Sequence, residues 1–373
     1  MAYRTLVVDD TIFYRRLIKE ILNEIDDIEV IGTAANGKMA LNRIKNKEPD
    51  LVTLDVEMPV MNGLEVLQGI NEENYETECI MVSSKTHRGG EITMKALEAG
   101  AFDFIPKPDT DSAEENRKEL RRELKEKIKA FNRHHRLSGI VKGRDYSKSS
   151  KKKSKTKKKQ KRKKKKKSRP EKVEIKKSTR KRGEKSKAIV LGISTGGPKA
   201  LSTIIPEFPA RIGVPIFIVQ HMPPVFTSSL AKSLNKKSKL EIKEAEDGEK
   251  VSRDTIYIAP GGKHMKVTMG EGLVKKIKIT DDPKENNCKP AVDYTFRSVA
   301  RVYGSKTTAV IMTGMGSDGK LGFTVLKGAG AVTIAQSADT CTVYGMPKSV
   351  IEAELVDVIS PLQEIPKEIL KTI

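Results

Sequence analysis

Ser194 stands in the stretch AIVLGISTGGPK, where an apolar run ends in a serine surrounded by glycines. The run 188–191 has the pattern of a buried strand, and glycine lets the chain turn sharply after it. The spacing GISTG matches the G-x-S-x-G pattern that exposes a serine hydroxyl at a strand-to-helix turn. By itself the pattern fits a glycine-rich connection without chemistry equally well.

A serine becomes a nucleophile when a base accepts its proton and an acid orients that base. His221 directly follows the apolar run IFIVQ, and Asp318 lies in the glycine-rich TGMGSDGK after the run TAVIM. We expect Ser194 as nucleophile, His221 as base and Asp318 as orienting acid. His264, in the loop-like PGGKHM, is expected to be a loop or substrate-side residue. The segment GMGSDG alone would also suit a phosphate loop or a simple turn.

A second set of reactive residues lies at strand ends near the N-terminus. Asp9 and Asp10 follow the first apolar run, Asp55 follows the third, Ser83 the fourth and Lys107 the fifth. Three clustered carboxylates require a hard cation such as Mg²⁺. The set suits phosphoryl transfer to Asp55, with the serine donating to a phosphoryl oxygen and the lysine balancing charge.

The elements that would position both sets alternate between strand and helix. The N-terminal strand-like runs are 5–8, 29–33, 51–54, 79–82 and 102–105, and the C-terminal ones are AIVLGIS, IFIVQ, TIYIAP, TAVIMTG and AVTIA. Such alternation predicts an α/β protein with two doubly wound parallel sheets, the first flavodoxin-like and the second Rossmann-like. Ligand sites in these sheets lie at the carboxyl ends of the strands.

The charge of the chain is concentrated in one segment. Residues 142–187 hold 26 Lys or Arg and 4 Asp or Glu, a net of +22 that equals the net charge of the whole protein. The segment is almost free of apolar residues, so we predict a disordered linker. Its role is either that of a solvated spacer or a contact with anionic lipid or nucleic acid. The predicted domains are 1–125, a helical extension with the linker at 126–186, and 187–373.

Three widely spaced cysteines predict reduced thiols, and no disulfide framework or zinc site is expected. The start of the chain has no signal-peptide pattern, and no apolar run approaches the length of a membrane helix. These features predict a cytoplasmic protein.

The segments VVDD, LDVEMPVMNG, MVSS and the Lys107-Pro108 step resemble the receiver domain of response regulators over roughly the first 125 residues. The resemblance implies phosphorylation of Asp55 by a histidine kinase, with Mg²⁺ held by the aspartates and the backbone carbonyl of Glu57. It also makes Phe104 either a switch aromatic or an ordinary core residue.

The C-terminal segments GISTGGP, QHMPPVFTSSLA, YIAPGGKHM, KPAVDYTF, TGMGSDG and YGMP resemble the catalytic domain of chemotaxis protein-glutamate methylesterases. The resemblance implies a phosphorylation-activated hydrolase that converts glutamate γ-methyl esters on methylated chemoreceptors to glutamate and methanol, and that deamidates receptor glutamines. Thr195 and Met315 would lie in the oxyanion and substrate environment, and no metal or other cofactor is expected in this domain. Ile193, bulkier than the residue often found before this serine, and the long basic linker depart from the family pattern.

Two other function classes fit part of the sequence. A receiver coupled to a DNA-binding output would explain the basic charge, but the C-terminal part is neutral and shows no helix-turn-helix pattern. A nucleotide-binding module would use GISTGG and GMGSDG as phosphate loops, although GISTGG lacks the ending of a P-loop. Labelling by a serine-reactive probe would separate the hydrolase from both.

Overall fold

The computed structural model describes residues 2–141 and 184–373, with side chains described up to residue 135 in the first range. The core of the basic linker, and with it the prediction of disorder, lies outside the described residues. We call residues 2–141 the N-terminal unit and residues 184–373 the C-terminal unit.

The N-terminal unit alternates strands and helices as its sequence pattern predicts. It contains β1 (Tyr3–Val8), α1 (Ile12–Leu22), β2 (Ile28–Ala34), α2 (Gly37–Lys47), β3 (Leu51–Asp55), α3 (Gly63–Glu72), β4 (Glu78–Ser83), α4 (His87–Glu98), β5 (Asp103–Pro106) and α5 (Ala113–Val141). Within residues 2–141 the strands form a parallel sheet in the order β2-β1-β3-β4-β5. Its central strands are apolar and buried, as expected of a sheet covered by helices on both faces. Helix α5 continues past residue 125, where the first domain was expected to end.

The C-terminal unit is also an α/β structure. It contains β6 (Ala188–Ile193), α6 (Gly197–Ile204), β7 (Ile216–Gln220), α7 (Phe226–Asn235), β8 (Glu241–Glu244), β9 (Thr255–Ile258), β10 (His264–Met269), β11 (Lys275–Thr280), α8 (Val292–Tyr303), β12 (Thr307–Ile311), α9 (Lys320–Gly328), β13 (Val332–Gln336), α10 (Met346–Ile351), β14 (Val358–Ser360) and α11 (Ile365–Leu370). In residues 184–373 seven parallel strands have the order β14-β13-β12-β6-β7-β9-β8. The predicted fold class is confirmed for both units.

The strand order determines where the C-terminal unit has its crevice. From β6 the chain first adds β7 on one side, and it adds β12 on the other side much later. The carboxyl ends of β6, β7 and β12 therefore meet at a topological switch point, the usual ligand position in such sheets. The strands β10 and β11 form a separate antiparallel hairpin.

The two units pack against each other through α4 and α5. Glu98, at the end of α4, accepts hydrogen bonds from Ser233 (2.6 Å) and Ser202 (3.3 Å) and pairs with Lys237 (2.8 Å). The ring of Phe104, in β5, lies 4.5 Å from that of Phe226, at the start of α7. The receiver-like face formed by α4 and β5 thus contacts the helices that follow β6 and β7.

Helix α5 makes a further contact between the units. His134 Nδ1 lies 2.8 Å from the carbonyl oxygen of Thr342, and Val343 is buried in the same apolar cluster as Phe131. None of the helices in the described ranges combines the length and apolar character needed to cross a bilayer.

Candidate active site and phosphorylation site

Ser194 lies at the turn between β6 and α6. Its N–H donates to the carbonyl of Thr313 (3.0 Å), and its own carbonyl accepts from the N–H of Gly197 (2.7 Å) and from Gln220 Nε2 (3.0 Å). The turn depends on glycine, because Gly196 has φ +78° and a Cβ at Gly197 would lie 1.8 Å from Gln220 Oε1. Buried neighbours therefore hold the serine backbone on three sides.

His221 and Asp318 lie in direct contact beside this turn. Ile193 and Gln220 are register partners in β6 and β7, so Ser194 and His221 follow them on adjacent strand ends. His221 Nε2 lies 2.7 Å from Asp318 Oδ2, and the carboxylate also accepts from the backbone N–H of Val292 at 2.7 Å. The structure thus places all three sequence-predicted residues at one edge of the sheet.

The carboxylate of Asp318 is strongly stabilised in its ionised form. Burial raises the pKa of Asp318. The contact with His221 and the hydrogen bonds from the N–H groups of Val292 and Asp293 outweigh burial and lower the pKa to about 2. A buried carboxylate held by several donors stays ionised at neutral pH and can stabilise an imidazolium beside it.

The second nitrogen of His221 faces a thiol that the sequence analysis had not singled out for chemistry. Cys288 Sγ lies 3.6 Å from His221 Nδ1. Burial lowers the pKa of His221, whereas the contacts with Cys288 and Asp318 raise it more, so the pKa lies above its usual value.

The hydroxyl of Ser194 is not engaged in the structure. Its Oγ makes no hydrogen bond to any residue in the described part of the chain, so the serine–histidine bond of a closed triad is not formed. Such bonds are often loose without substrate. Because Nε2 contacts Asp318, Nδ1 is the ring nitrogen of His221 that this carboxylate does not occupy.

Two backbone N–H groups near Ser194 have donor capacity to spare. Within residues 2–141 and 184–373, the N–H groups of Thr195 and Met315 donate to no acceptor. Gly314, which precedes Met315, lies so close to the serine that a Cβ at Gly314 would be 2.7 Å from Ser194 Cβ. The arrangement suits stabilisation of an oxyanion formed beside Ser194.

Sequence reasoning missed three polar residues that build the acid end of the site. Asn286 Nδ2 donates to Asp318 Oδ1 (2.8 Å) and to Asp293 Oδ2 (2.9 Å), and Cys288 belongs to the same turn. Burial raises the pKa of Asp293, and the negative charge of the nearby Asp318 carboxylate raises it as well. The segment ENNCKP preceding an apolar helix was the available signal, since paired asparagines favour a tight turn.

The expectation for His264 was wrong. It begins β10, is completely buried, and stacks on Tyr294 with ring centroids 4.2 Å apart. Its ring nitrogens lie 3.0 Å from the carbonyl of Pro283 and 3.3 Å from the N–H of Ala291. Burial is the main reason that its pKa is lowered. His264 therefore supports the core instead of lining a substrate loop.

The N-terminal unit brings Asp9, Asp55 and Lys107 together at the carboxyl ends of its strands. Lys107 Nζ lies 2.8 Å from Asp55 Oδ2 and 2.9 Å from Asp9 Oδ2. Asp9, Asp10 and Asp55 each offer a carboxylate oxygen, and these oxygens all lie within 4.8 Å of one another. Burial raises the pKa of Asp55 to about 7, because Lys107 only partly offsets burial and the neighbouring Asp9.

These carboxylates fit a hard divalent cation. Asp9 Oδ2 is buried, and although it pairs with Lys107 it accepts no well-directed hydrogen bond from a described residue. An oxygen in that state retains capacity for a cation, and oxygen ligands are those Mg²⁺ prefers.

The remaining predicted residues surround Asp55. Ser83 is buried at the end of β4, where its hydroxyl donates to the carbonyl of Ser84 (3.2 Å) and accepts from Thr93 (2.8 Å). The N–H of Glu57 lies 3.4 Å from Asp55 Oδ1. Phe104 is 5% exposed, belongs to a buried apolar cluster that includes residues of both units, and packs its ring against Phe226.

Comparison with known proteins gives matches to both units. The profile of the CheB methylesterase family matches residues 189–369, and that of the response regulator receiver domain matches residues 5–116. The protein-glutamate methylesterase/protein-glutamine glutaminase of Desulfotalea psychrophila is 49% identical over 373 residues, covering 99% of this chain and 98% of that protein. The Bacillus subtilis protein of the same name is 42% identical over 368 residues, which cover 98% of this chain and 97% of that protein. The crystal structure of the Thermotoga maritima CheB methylesterase catalytic domain is 45% identical, covers 50% of this chain and 99% of that one, and has a TM-score of 0.49.

Proposed function

Because the chain belongs to the family of protein-glutamate methylesterases that carry a receiver domain, we propose that it demethylates chemoreceptors under control of phosphorylation. The substrates would be glutamate γ-methyl esters, hydrolysed to glutamate and methanol, and receptor glutamines, hydrolysed to glutamate and ammonia. Chemoreceptor helices of this kind are cytoplasmic, so the proposal places the reaction in the cytoplasm. The observation that carries it is the contact of His221 with Asp318 beside the turn that holds Ser194.

In the proposed mechanism Ser194 attacks the ester carbonyl while His221 accepts the hydroxyl proton. The imidazolium formed in this step is stabilised by Asp318, whose carboxylate lies 2.7 Å from the ring and whose low pKa keeps it ionised. His221 then returns the proton to the leaving methanol. Water activated by the same histidine releases the glutamate and restores Ser194.

The tetrahedral intermediate places a negative oxygen beside Ser194. The N–H groups of Thr195 and Met315 are available to hold it, since neither donates within the described ranges. Stabilisation by preorganised donors of this kind is usually the largest single contribution to such catalysis. We assign to the close approach of Gly314 to Ser194 the role of holding the Met315 N–H beside this oxygen.

The N-terminal unit would receive a phosphoryl group from a histidine kinase on Asp55. Mg²⁺, held by Asp9, Asp10, Asp55 and the carbonyl of Glu57, would supply positive charge for the phosphoryl oxygens. Lys107, now paired with Asp55 at 2.8 Å, would move its charge to the phosphoryl group. The Ser83 hydroxyl would exchange its contact with Ser84 for a phosphoryl oxygen.

The contacts between the units are the route by which phosphorylation would reach the active site. Phe104 lies three residues before Lys107 and packs against Phe226, while Glu98 is bound to Ser233 and Lys237. Movement of Lys107 toward the phosphoryl group would disturb this packing. The arrangement in which these contacts are formed, which we call the closed arrangement, would thus limit the activity of the C-terminal unit until Asp55 is phosphorylated. A free-energy shift of about 1.4 kcal/mol suffices for a tenfold change in the open population.

The basic segment within residues 142–187 would add a contact with anionic lipid or nucleic acid. The support is its net charge of +22, which is the entire excess of the protein.

The test is release of methanol from receptors that carry labelled methyl esters, measured with and without a phosphodonor. We expect release by the full-length protein, faster with the phosphodonor. Asp55→Asn should remain at the resting rate under both conditions. Release by Ser194→Ala at the wild-type rate, or none by the phosphorylated wild type, would contradict the proposal.

A further inference from the structure

Cys288 places a thiol against the ring nitrogen of His221 that the proposed mechanism needs as its base. We propose that Cys288 and His221 together bind a thiophilic divalent cation, Zn²⁺, which inhibits the enzyme by occupying His221 Nδ1. Nitrogen and sulfur are the ligands that Zn²⁺ prefers. The carboxylates of the N-terminal unit offer only oxygen ligands, and the proposed serine mechanism uses no thiol.

The spacing of the two ligand atoms fits the cation without movement of either side chain. With Zn–N of about 2.0–2.1 Å and Zn–S of about 2.3 Å, tetrahedral geometry separates the nitrogen and sulfur by about 3.6 Å. Cys288 Sγ and His221 Nδ1 are 3.6 Å apart. Water would complete the coordination, which makes this an accessible site of two protein ligands.

Asp318 orients the histidine in the way a metal-bound imidazole is usually held. Its Oδ2 lies 2.7 Å from His221 Nε2, so the ring donates that N–H to a carboxylate and turns the lone pair of Nδ1 toward Cys288. Zinc-binding histidines commonly make this outer contact, which fixes their tautomer. His221, Cys288 and Asp318 each offer one metal-ligating atom, and these three atoms lie within 4.8 Å of one another.

The sulfur is held in place by its own turn. Glu285 and Cys288 exchange two backbone hydrogen bonds, of 2.8 and 3.1 Å, around Asn286 and Asn287, which have φ values of 53° and 61°. Asn286 Nδ2 in turn donates to Asp318 Oδ1 at 2.8 Å. The thiol is therefore positioned at the histidine before any cation arrives.

Binding would form Zn–S and Zn–N bonds while the Cys288–His221 pair releases one proton to solvent, with no change of oxidation state. Affinity should consequently increase as pH rises. A metal-bound His221 Nδ1 cannot accept the proton of Ser194. Inhibition thus rests on the proposed function, whereas binding of the cation does not.

The first test uses Co²⁺ as a spectroscopic probe on the full-length protein, with excess Mg²⁺ to fill the receiver carboxylates. We expect near-ultraviolet absorption from thiolate-to-Co²⁺ charge transfer in the wild type and in Cys341→Ser, and its loss in Cys288→Ser. Cys341 is the matched control because it is also partly exposed and its sulfur lies 4.0 Å from the backbone carbonyl oxygen of Gln336. Absence of the band from the wild type, or its persistence in Cys288→Ser, would overturn the site.

The second test needs no variant. Zn²⁺ should slow alkylation of Cys288 by about 100-fold when its concentration is 100 times the dissociation constant, while Cys341 in the same sample reacts at its metal-free rate. Peptide mass spectrometry measures both. Equal protection of the two cysteines, or none, would contradict the proposal.

The third test is methanol release, with each variant compared with its own metal-free rate. Zn²⁺ should inhibit the wild type reversibly, and Cys288→Ser should need at least about ten times more Zn²⁺ for the same fractional inhibition. No release by the metal-free wild type would count against the proposed function, and the Co²⁺ and alkylation tests would still decide the site. An active enzyme insensitive to Zn²⁺ would overturn the inference.

Discussion

At the residue scale, two side chains near His221 are chemically competent nucleophiles. Cys288 Sγ lies 3.6 Å from His221 Nδ1, whereas the Ser194 hydroxyl makes no hydrogen bond in the described part of the chain. What favours Ser194 is its backbone setting, because the unengaged N–H of Thr195 adjoins it and Gly314 abuts it. Cys288 instead lies in a turn in which the Asn286 side chain donates to Asp318.

We therefore predict that a fluorophosphonate probe labels Ser194 and leaves Cys288 unmodified, as mapped by peptide mass spectrometry. Ser194→Ala should lose labelling and lower methanol release by about 10⁴-fold or more, because the covalent step is lost. His221→Ala should also abolish labelling, since the hydroxyl then has no base. An adduct on Cys288 in the wild type would assign the nucleophile to the thiol.

The contact between Cys288 and His221 leads to a pH prediction. The contact with Cys288 is one of the causes that raise the pKa of His221, so Cys288→Ser should lower that pKa. His221 acts as a base only when neutral, and a lower pKa keeps it neutral at lower pH. The acidic limb of kcat/KM, measured with a chelator present, should consequently move to lower pH in Cys288→Ser. Cys341→Ser is the control, and an identical shift in both variants would show that the contact with Cys288 is not the cause.

At the scale of elements, the site depends on how closely the loop after β12 approaches the turn after β6. A Cβ at Gly314 would lie 2.4 Å from Met346 Sδ and 2.7 Å from Ser194 Cβ. The same addition at Gly328, in α9, meets no atom within 4 Å. The difference offers a matched pair of glycine substitutions.

Gly314→Ala should reduce methanol release by roughly 100-fold, because displacement of the loop by about 1 Å moves the oxyanion donors away from the reacting carbon. Gly328→Ala should keep the wild-type rate, since its added methyl has open space. Both rates are measured on the same methylated receptor at equal concentrations of folded protein. If Gly314→Ala is as active as Gly328→Ala, the close approach does not position the site.

At the scale of the whole molecule, α4 of the N-terminal unit offers a pair of glutamates for testing restraint between the units. Glu98 accepts from Ser202 and Ser233 and pairs with Lys237, and the hydrogen bonds from Lys237 and Ser233 lower its pKa although burial raises it. Glu91, on the same helix, is exposed.

Glu98→Ala should raise the methanol release of the unphosphorylated protein by up to roughly tenfold, because hydrogen bonds to a charged group are lost from the closed arrangement only. Glu91→Ala should stay at the resting rate. The measurement compares resting and phosphodonor-treated samples of each variant. A resting rate for Glu98→Ala equal to that of Glu91→Ala would mean that this contact does not restrain activity.

The basic segment allows a prediction that depends on charge alone. Replacing the lysines within residues 151–167 by serine and glycine should abolish salt-sensitive binding to anionic vesicles and to nucleic acid, because released counterions drive such binding. Replacement by arginine keeps the charge and should retain binding. Sedimentation with vesicles and electrophoretic mobility with nucleic acid measure the two arms, and equal binding by both variants would refute a charge-based contact.

The sequence alone determined the strands of the N-terminal unit, the strands β6, β7, β9, β12 and β13 of the C-terminal unit, and the polar residues that follow them, because these are local signals. Buried parallel strands are continuous apolar runs, and Asp55, Ser194 and His221 stand directly after such runs. Pattern reasoning failed where burial depends on distant partners. The polar edge strand β8 (EIKE) and the buried His264 of the β10–β11 hairpin acquire their structure from pairing, which no local pattern reveals.

Only the tertiary structure decided which residues meet across long separations. Cys288 and His221 are 67 residues apart, and Asn286 reaches Asp318 across 32. Phe104 meets Phe226 only because the two units pack together. These contacts depend on strand order, turn geometry and docking between units. A cysteine or an aromatic residue carries the same local pattern whether it faces the core, the active site or the other unit.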